Sequence, residues 1–167
     1  MKLNCDLFCR VVDNLGDAGV CWRLARQLAR EHGWAVRLWI DDPAPLAGLR
    51  PGIDPLLAEQ TIDGVNVRQW PALFPEIEPG EVVIEAFACE LPPTFIATMA
   101  ARAIRHRPPV WLNLEYLSAE DWVAGCHGLP SPHPTLPLTK HFFFPGFASG
   151  TGGLLRERNV DADFGRR

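Results

Sequence analysis

The 167-residue sequence has no excess of positive charge: 16 Lys and Arg stand against 20 Asp and Glu, a formal net charge of -4 at pH 7. Neutralising a phosphate backbone takes clustered basic residues, and only Arg102, Arg105 and Arg107 gather in this way. This argues against a nucleic-acid binder, so any anionic partner must be held locally. No apolar run approaches the roughly 18 residues that a bilayer span needs, and no basic, apolar and small-residue leader opens the chain. The expectation is a cytoplasmic protein without membrane contact. The five cysteines, Cys5, Cys9, Cys21, Cys89 and Cys126, are odd in number, and four lie in apolar strand-like or helix-like contexts. They are expected as reduced, buried thiols. Cys126 with His127, His133 and His141 lacks zinc-ligand spacing, so packing in loops is expected of these histidines and no metal is expected. There is no internal repeat.

What is present is a soluble composition, 47% hydrophobic and 22% charged, long enough for one ordinary domain or one half of a two-domain enzyme. Leu3 to Val12 turns into an apolar run that suits a strand covered on both faces. From Val20, residues Trp22, Leu24, Ala25, Leu28 and Ala29 keep helical register until Gly33. Trp34 to Asp41 reads as a second strand, "DDPAPLAGLRPGIDP" as a loop, and Val65 to Trp70 as a short third strand. Glu81 to Phe87 is a β-branched central strand. A helix over Phe95 to Arg105, capped by Thr94, leads to another strand at Val110 to Leu117. Ser118-Ala119-Glu120-Asp121 resembles the capped first turn of a short helix through Val123. The segment from Gly128 to Gly153 is too rich in proline and glycine for long elements, although His141 to Phe144 can form a strand, with Phe142, Phe143 and Phe144 in the core. Strands alternating with helices imply an α/β fold with a Rossmann-like parallel sheet.

In such a sheet ligands bind beyond the carboxyl ends of the strands, and "VVDNLGDAGV" occupies the first of those turns. Gly16 and Gly19 allow close backbone approach, and the start of the following helix favours an anion such as a diphosphate. The turn has only G-x-x-G, flanked by Asp13 and Asp17, where a dinucleotide fingerprint needs G-x-G-x-x-G and no repelling carboxylates. A Rossmann-like oxidoreductase is therefore the weaker reading, although Asp41 and Asp42 stand where its acidic residue would. Two readings of the acids stay open. They serve a cationic, proton-bearing acceptor, or Asp13 or Asn14 caps the helix while Asp17 sits solvated in its first turn.

Together, "LFCRVVDNLGDAGVCWRLARQLA", "VVIEAFACELP", "VWLNLEYLSAEDWV", "LPSPHP" and "KHFFFPGFASGTGGLLRE" resemble the N-terminal half of the elongation factor P arginine rhamnosyltransferases, over nearly all of residues 3 to 157. The resemblance implies the N-terminal domain of a metal-independent, inverting GT-B glycosyltransferase that takes rhamnose from dTDP-β-L-rhamnose and places it on an arginine of translation elongation factor P. It implies no cofactor beyond the nucleotide sugar. Carried over by position, Asp17 becomes the candidate general base and Asp13 its partner, both on the acceptor guanidinium. Asn14, Gly16 and Gly19 would face the sugar diphosphate. Tyr116, Glu115, Ser118 and Glu120 would join the acceptor surface, with Asn113 or Glu115 ordering Tyr116, whose other reading is an amphipathic core tyrosine. Glu85 falls inside a strand in a structural setting, and Cys89 and Glu90 follow the same strand end. "SGTGG", Ser149 to Gly153, reads as a flexible connection or a second phosphate-facing loop. The expected division is an acceptor-binding domain over residues 1 to 153 and a tail over 154 to 167, with the donor-binding domain absent. A module that grips elongation factor P without catalysis fits that division as well.

Overall fold

A computed structural model describes residues 2–158. The elements run β1 (Asn4–Cys9), α1 (Asn14–Arg30), β2 (Ala35–Ile40), α2 (Ala44–Leu49), β3 (Glu59–Ile62), β4 (Val65–Gln69), β5 (Val82–Ala86), α3 (Pro93–Arg105), β6 (Val110–Leu114), α4 (Val123–Cys126), β7 (Pro130–Pro132) and β8 (Thr139–Phe143). One eight-stranded sheet has the order β3-β4-β2-β1-β5-β6-β8-β7. Only the edge strands β3 and β7 pair antiparallel; the pairs between β4 and β8 are parallel. The sheet grows from β1 toward β2 on one side and, after a return crossover, toward β5 on the other. The crevice at the carboxyl ends of β1 and β5 is thus the topological switch point.

Period-two alternation distributes the strand side chains to two cores. On one face Leu7, Cys9, Leu38, Ile40, Ile84 and Ala86 meet Ala18, Cys21 and Ala25 of α1. On the other Phe8, Trp39, Val83 and Trp111 meet Phe95 and Met99 of α3. Phe8 centres that second core, with ring centroids 4.8 Å from Phe95, 5.2 Å from Trp70 and 5.7 Å from Phe74. At the amino ends of the strands the fully buried Asp6 accepts both Arg37 donors (2.6 and 2.7 Å), the Trp39 indole N–H (3.0 Å) and the Gly80 N–H (2.8 Å). That last contact brings the return crossover against β1. A Cβ on Gly80 would run into the Asn4 carbonyl oxygen, which is backbone and has nowhere to go. Gly80→Ala is therefore expected to destabilise by about 2–3 kcal/mol, a fall in Tm of about 4–12 °C; a thermal melt within a degree of the parent protein would refute this.

The structure corrects several expected elements. Helix α1 begins at Asn14, not near Val20. The proline-rich loop after β2 contains α2, because prolines at the start of a helix have no N–H to lose and a suitable φ. The hairpin strand β3 joins β4 through Asp63 and Gly64, both at positive φ (52° and 81°), as a type I′ turn requires. Thr94 lies inside α3 and its hydroxyl donates to the Phe74 carbonyl at 3.5 Å instead of capping the helix. Strand β6 ends at Leu114, and α4 starts at Val123, where the short helix was expected to finish. Phe142, Phe143 and Phe144 are half-buried, and of the three Phe143 packs against the core beneath α1. The Ser149–Gly153 loop is tied down, with Gly152 N–H donating to the Phe144 carbonyl at 2.8 Å and the Thr151 hydroxyl to the Ala148 carbonyl at 2.7 Å. His127 and His133 accept backbone N–H groups through Nδ1, a structural use.

Candidate active site

The turn between β1 and α1 is organised by Asp17. Asp13 is the N-cap residue but its side chain makes no cap hydrogen bond. Asp17, one turn into the helix and 1% exposed, reaches back, and its Oδ2 accepts the N–H groups of Val12 (3.0 Å) and Asp13 (2.9 Å). Its other oxygen accepts the Tyr116 hydroxyl at 3.0 Å, from beyond the end of β6. A carboxylate offers about four acceptor directions, so three are used and one remains. The early start of α1 follows, since the two N–H groups preceding the helix are satisfied by a residue within it. The Asp13 carboxylate is exposed and lies over Gly16, where a Cβ would stand 2.7 Å from Oδ2.

Tyr116 is the sole tyrosine. Its ring stacks on Phe87, centroids 4.1 Å apart and planes 10° from parallel. The residue is 52% exposed, but its hydroxyl end is turned in to Asp17. Desolvation first, and then the hydrogen bond to Asp17, push the phenol up to about 12. The neutral phenol is the donor, so its contribution to stability is present below the ordinary tyrosine value near 10 and is lost as pH rises through about 12. A spectrophotometric titration reads this one group: the midpoint should lie near 12, and Asp17→Asn should bring it back toward 10. An unshifted midpoint in the parent protein would contradict the contact.

Asp13, Gly16, Asp17, Glu115 and Tyr116 stand at one end of a cavity of about 570 Å³. Its floor is the sheet face formed by Ile84, Leu112, Leu114 and Phe143, and its walls are Val20, Leu24 and Leu28 of α1 and the strap Gly152–Arg156. The strap is fastened to α1: Arg23 grips Glu157 through two bonds (2.7 and 2.8 Å), Gln27 Nε2 donates to the Arg156 carbonyl at 2.5 Å, and Arg158 N–H donates to Glu31 at 2.7 Å. Residues 154–158 thus pack on the same domain, and 159–167 lie outside the described residues. Burial holds the Glu115 carboxyl above the usual carboxylate range, opposed by a hydrogen bond from Asn113 Nδ2 (2.5 Å) and by the charge of Lys140.

The remaining expected site residues spread out. Asn14 is exposed in the first turn of α1, and Gly19 is half-buried and faces Leu49 of α2. Ser118 and Glu120 form a local turn, the Glu120 N–H donating to Ser118 Oγ at 3.1 Å. All five cysteines are free. A hydrogen bond with Cys9 and then burial raise Cys21, while burial raises Cys5 and takes Cys89 to about 12, so these thiols are unreactive. No metal-sized group of three His, Cys, Asp or Glu forms among the described residues, and no described helix is long and apolar enough to cross a membrane. Phe87 went unanticipated as a site residue; the one signal was its position at a strand's carboxyl end.

Residues 5–167 match the family described as elongation factor P (EF-P) rhamnosyltransferase EarP. The chain belongs to this family. Protein-arginine rhamnosyltransferases of Pseudomonas putida and Pseudomonas aeruginosa are 60% and 57% identical to it over 160 and 155 residues, 96% and 93% of the chain. The enzyme of that name from Neisseria meningitidis serogroup B is 43% identical over 158 residues, 93% of the chain. The matches cover 41%, 40% and 39% of those relatives, so the chain spans about two fifths of their length.

Proposed function

We propose that this chain is the acceptor-binding, catalytic-carboxylate part of an inverting protein-arginine rhamnosyltransferase of GT-B type, acting on elongation factor P with dTDP-β-L-rhamnose, without a metal, in the cytoplasm. The observation that carries the reading is the Asp17 carboxylate, anchored by two backbone N–H groups and Tyr116 beside the exposed carboxylate of Asp13, at the mouth of a cavity. An arginine side chain has a pKa of about 12.5–13.8 and delocalised lone pairs, so it is a poor nucleophile until its planar fork is fixed. Asp13 meets the guanidinium from the solvent side and Asp17 takes one N–H in its remaining acceptor direction, a grip that turns one nitrogen toward the anomeric carbon. As the N–C bond forms, the bond from that carbon to the diphosphate oxygen breaks. The nitrogen's proton passes to the carboxylate pair, and the diphosphate leaves with the bonding electrons from the face of the sugar opposite the attacking nitrogen, as inversion requires. Gly16, with the Asp13 carboxylate lying over it, is part of the cavity wall.

The test is to incubate the protein, alone and fused to the remainder of the Pseudomonas putida relative, with elongation factor P and dTDP-β-L-rhamnose, and to weigh the acceptor intact. A gain of one deoxyhexose on arginine in the fusion, lost with Asp13→Ala and Asp17→Ala together, is the expected result. Acceptor binding without any transfer in the fusion would show a docking module instead.

A further inference from the structure

The turn that carries Phe87 is held in an unfavourable backbone form. Phe87, Ala88 and Glu90, none of them glycine, have φ of 55°, 52° and 58°. L-residues rarely adopt that left-handed region, and it persists only where the surroundings over-determine it. Two buried polar side chains do so here. Asn113, fully buried, accepts the Ala88 N–H at 3.1 Å through Oδ1, and Glu85, 2% exposed, accepts the Glu90 N–H at 3.0 Å through Oε1. The two are cross-strand partners in the β5–β6 register. Each is fixed in turn: Lys140 Nζ, set 5.0 Å over the Trp111 ring, donates to Glu85 Oε2 at 3.1 Å, and Asn113 Nδ2 donates to Glu115. The backbone completes the clamp, Phe87 N–H donating to the Leu114 carbonyl at 2.7 Å and Cys89 N–H to the Ala86 carbonyl at 3.1 Å.

Every N–H of the turn is therefore used internally, so the turn is built to hold a shape and not to bind an anion. What it presents is the Phe87 ring. The Phe87–Tyr116 stack stands between the large cavity and a small one of about 130 Å³ lined by Arg10, Val12, Ala88 and Glu90, and both rings line both spaces. Tyr116, half exposed as a residue, has no other ring to lean on among the described contacts. We propose that Glu85 and Asn113 are positioning residues for rhamnosyl transfer: they lock the Phe87–Glu90 turn so that Phe87 fixes Tyr116 and Tyr116 keeps its hydroxyl on Asp17. This buried pair rests on the transferase reading for its purpose, but its structural effect does not.

The sole tyrosine supplies a readout that needs neither donor nor acceptor. Asp17, Asp13 and Cys9 raise the phenol and none belongs to the clamp, while Arg10 and Glu90 share the small cavity with the ring and Glu115 the large one. Tyr116 ionisation is followed by ultraviolet titration in the parent protein, Glu85→Leu, Glu85→Gln and Asn113→Ala, with near-ultraviolet circular dichroism reporting the fold. Glu85→Leu and Asn113→Ala should lower the midpoint by about one pH unit, a tenfold change in the ionisation constant. Glu85→Gln keeps an oxygen for the Glu90 N–H but turns its amide NH2 on Lys140, so its midpoint should fall between those of the parent and Glu85→Leu. In the fusion, the first two should lower kcat on the order of tenfold while the acceptor KM holds within about twofold. A folded Glu85→Leu protein with an unmoved midpoint overturns the proposal. If that variant does not fold, Asn113→Ala decides by the same midpoint, since it removes the acceptor of the Ala88 N–H. Absence of transfer in the parent fusion would remove the transferase reading while the titration still judged the clamp.

Discussion

On the proposed transferase reading, Asp17→Asn should cut the turnover of rhamnosyl transfer in the fusion by about 10²- to 10⁴-fold, the usual contribution of a positioned proton acceptor. Asparagine is nearly isosteric, and its carbonyl oxygen can take the Val12 and Asp13 N–H groups that Oδ2 accepts in the parent. The amide then faces the Tyr116 oxygen, which can accept as well as donate. The fold survives, and what disappears is the negative charge and the proton-accepting oxygen. Asp13→Asn removes an exposed carboxylate that makes no cap hydrogen bond to α1. Its effect should fall mainly on acceptor KM, on the order of tenfold, the size of one charge-assisted hydrogen bond. Steady-state kinetics on both variants check the division. Equal losses in kcat from the two, or an Asp17→Asn enzyme at near-parent turnover, would refute it.

The second large effect lies at the opposite end of the strands and concerns stability alone. Asp6→Ala strands the Trp39 indole N–H and the Gly80 N–H and leaves the part-exposed Arg37 guanidinium with the Glu78 carbonyl alone, at 2.9 Å, where all three donate to one fully buried carboxylate in the parent. Breaking a buried pair while leaving its partner costs about 3–5 kcal/mol, a large part of the stability of a domain this size. The melting temperature should drop by roughly 6–20 °C, or the chain should fail to fold. Asp6→Asn, which keeps an acceptor for the N–H groups, should cost clearly less. A melt unchanged by Asp6→Ala would mean that the network contributes nothing net.

The β1–α1 unit was legible because its signals are local: an apolar run, two glycines and a 3.6-residue pattern within one short stretch. The acids in the turn were visible too, but not their division of labour. Asp17 was placed either solvated or on a ligand, and the structure buries it beneath two N–H groups and a tyrosine from a distant strand. The Phe87 platform was hidden for the same reason, since its left-handed turn depends on Asn113 and Glu85 across a strand pair and not on any glycine that would announce it. Helix α2 was lost because Pro43 and Pro45 read as breakers, when at a helix start they are compatible with it. The Asp63-Gly64 pair did carry a hairpin signature, but its first strand, Glu59–Ile62, is only partly buried and shows little apolar patterning.

The two edge strands have a consequence for how the molecule behaves in company. A parallel sheet left open at its sides offers rows of N–H and C=O groups to any passing chain, the starting point of edge-to-edge aggregation. Here β7 is three residues long, Pro130-Ser131-Pro132, and its prolines have no N–H to offer a further strand. At the far side β3 is four residues long and carries Glu59, paired with Arg68 at 2.9 Å. Both margins end the sheet in short, charged or donor-poor strands, which give a passing chain little to pair with.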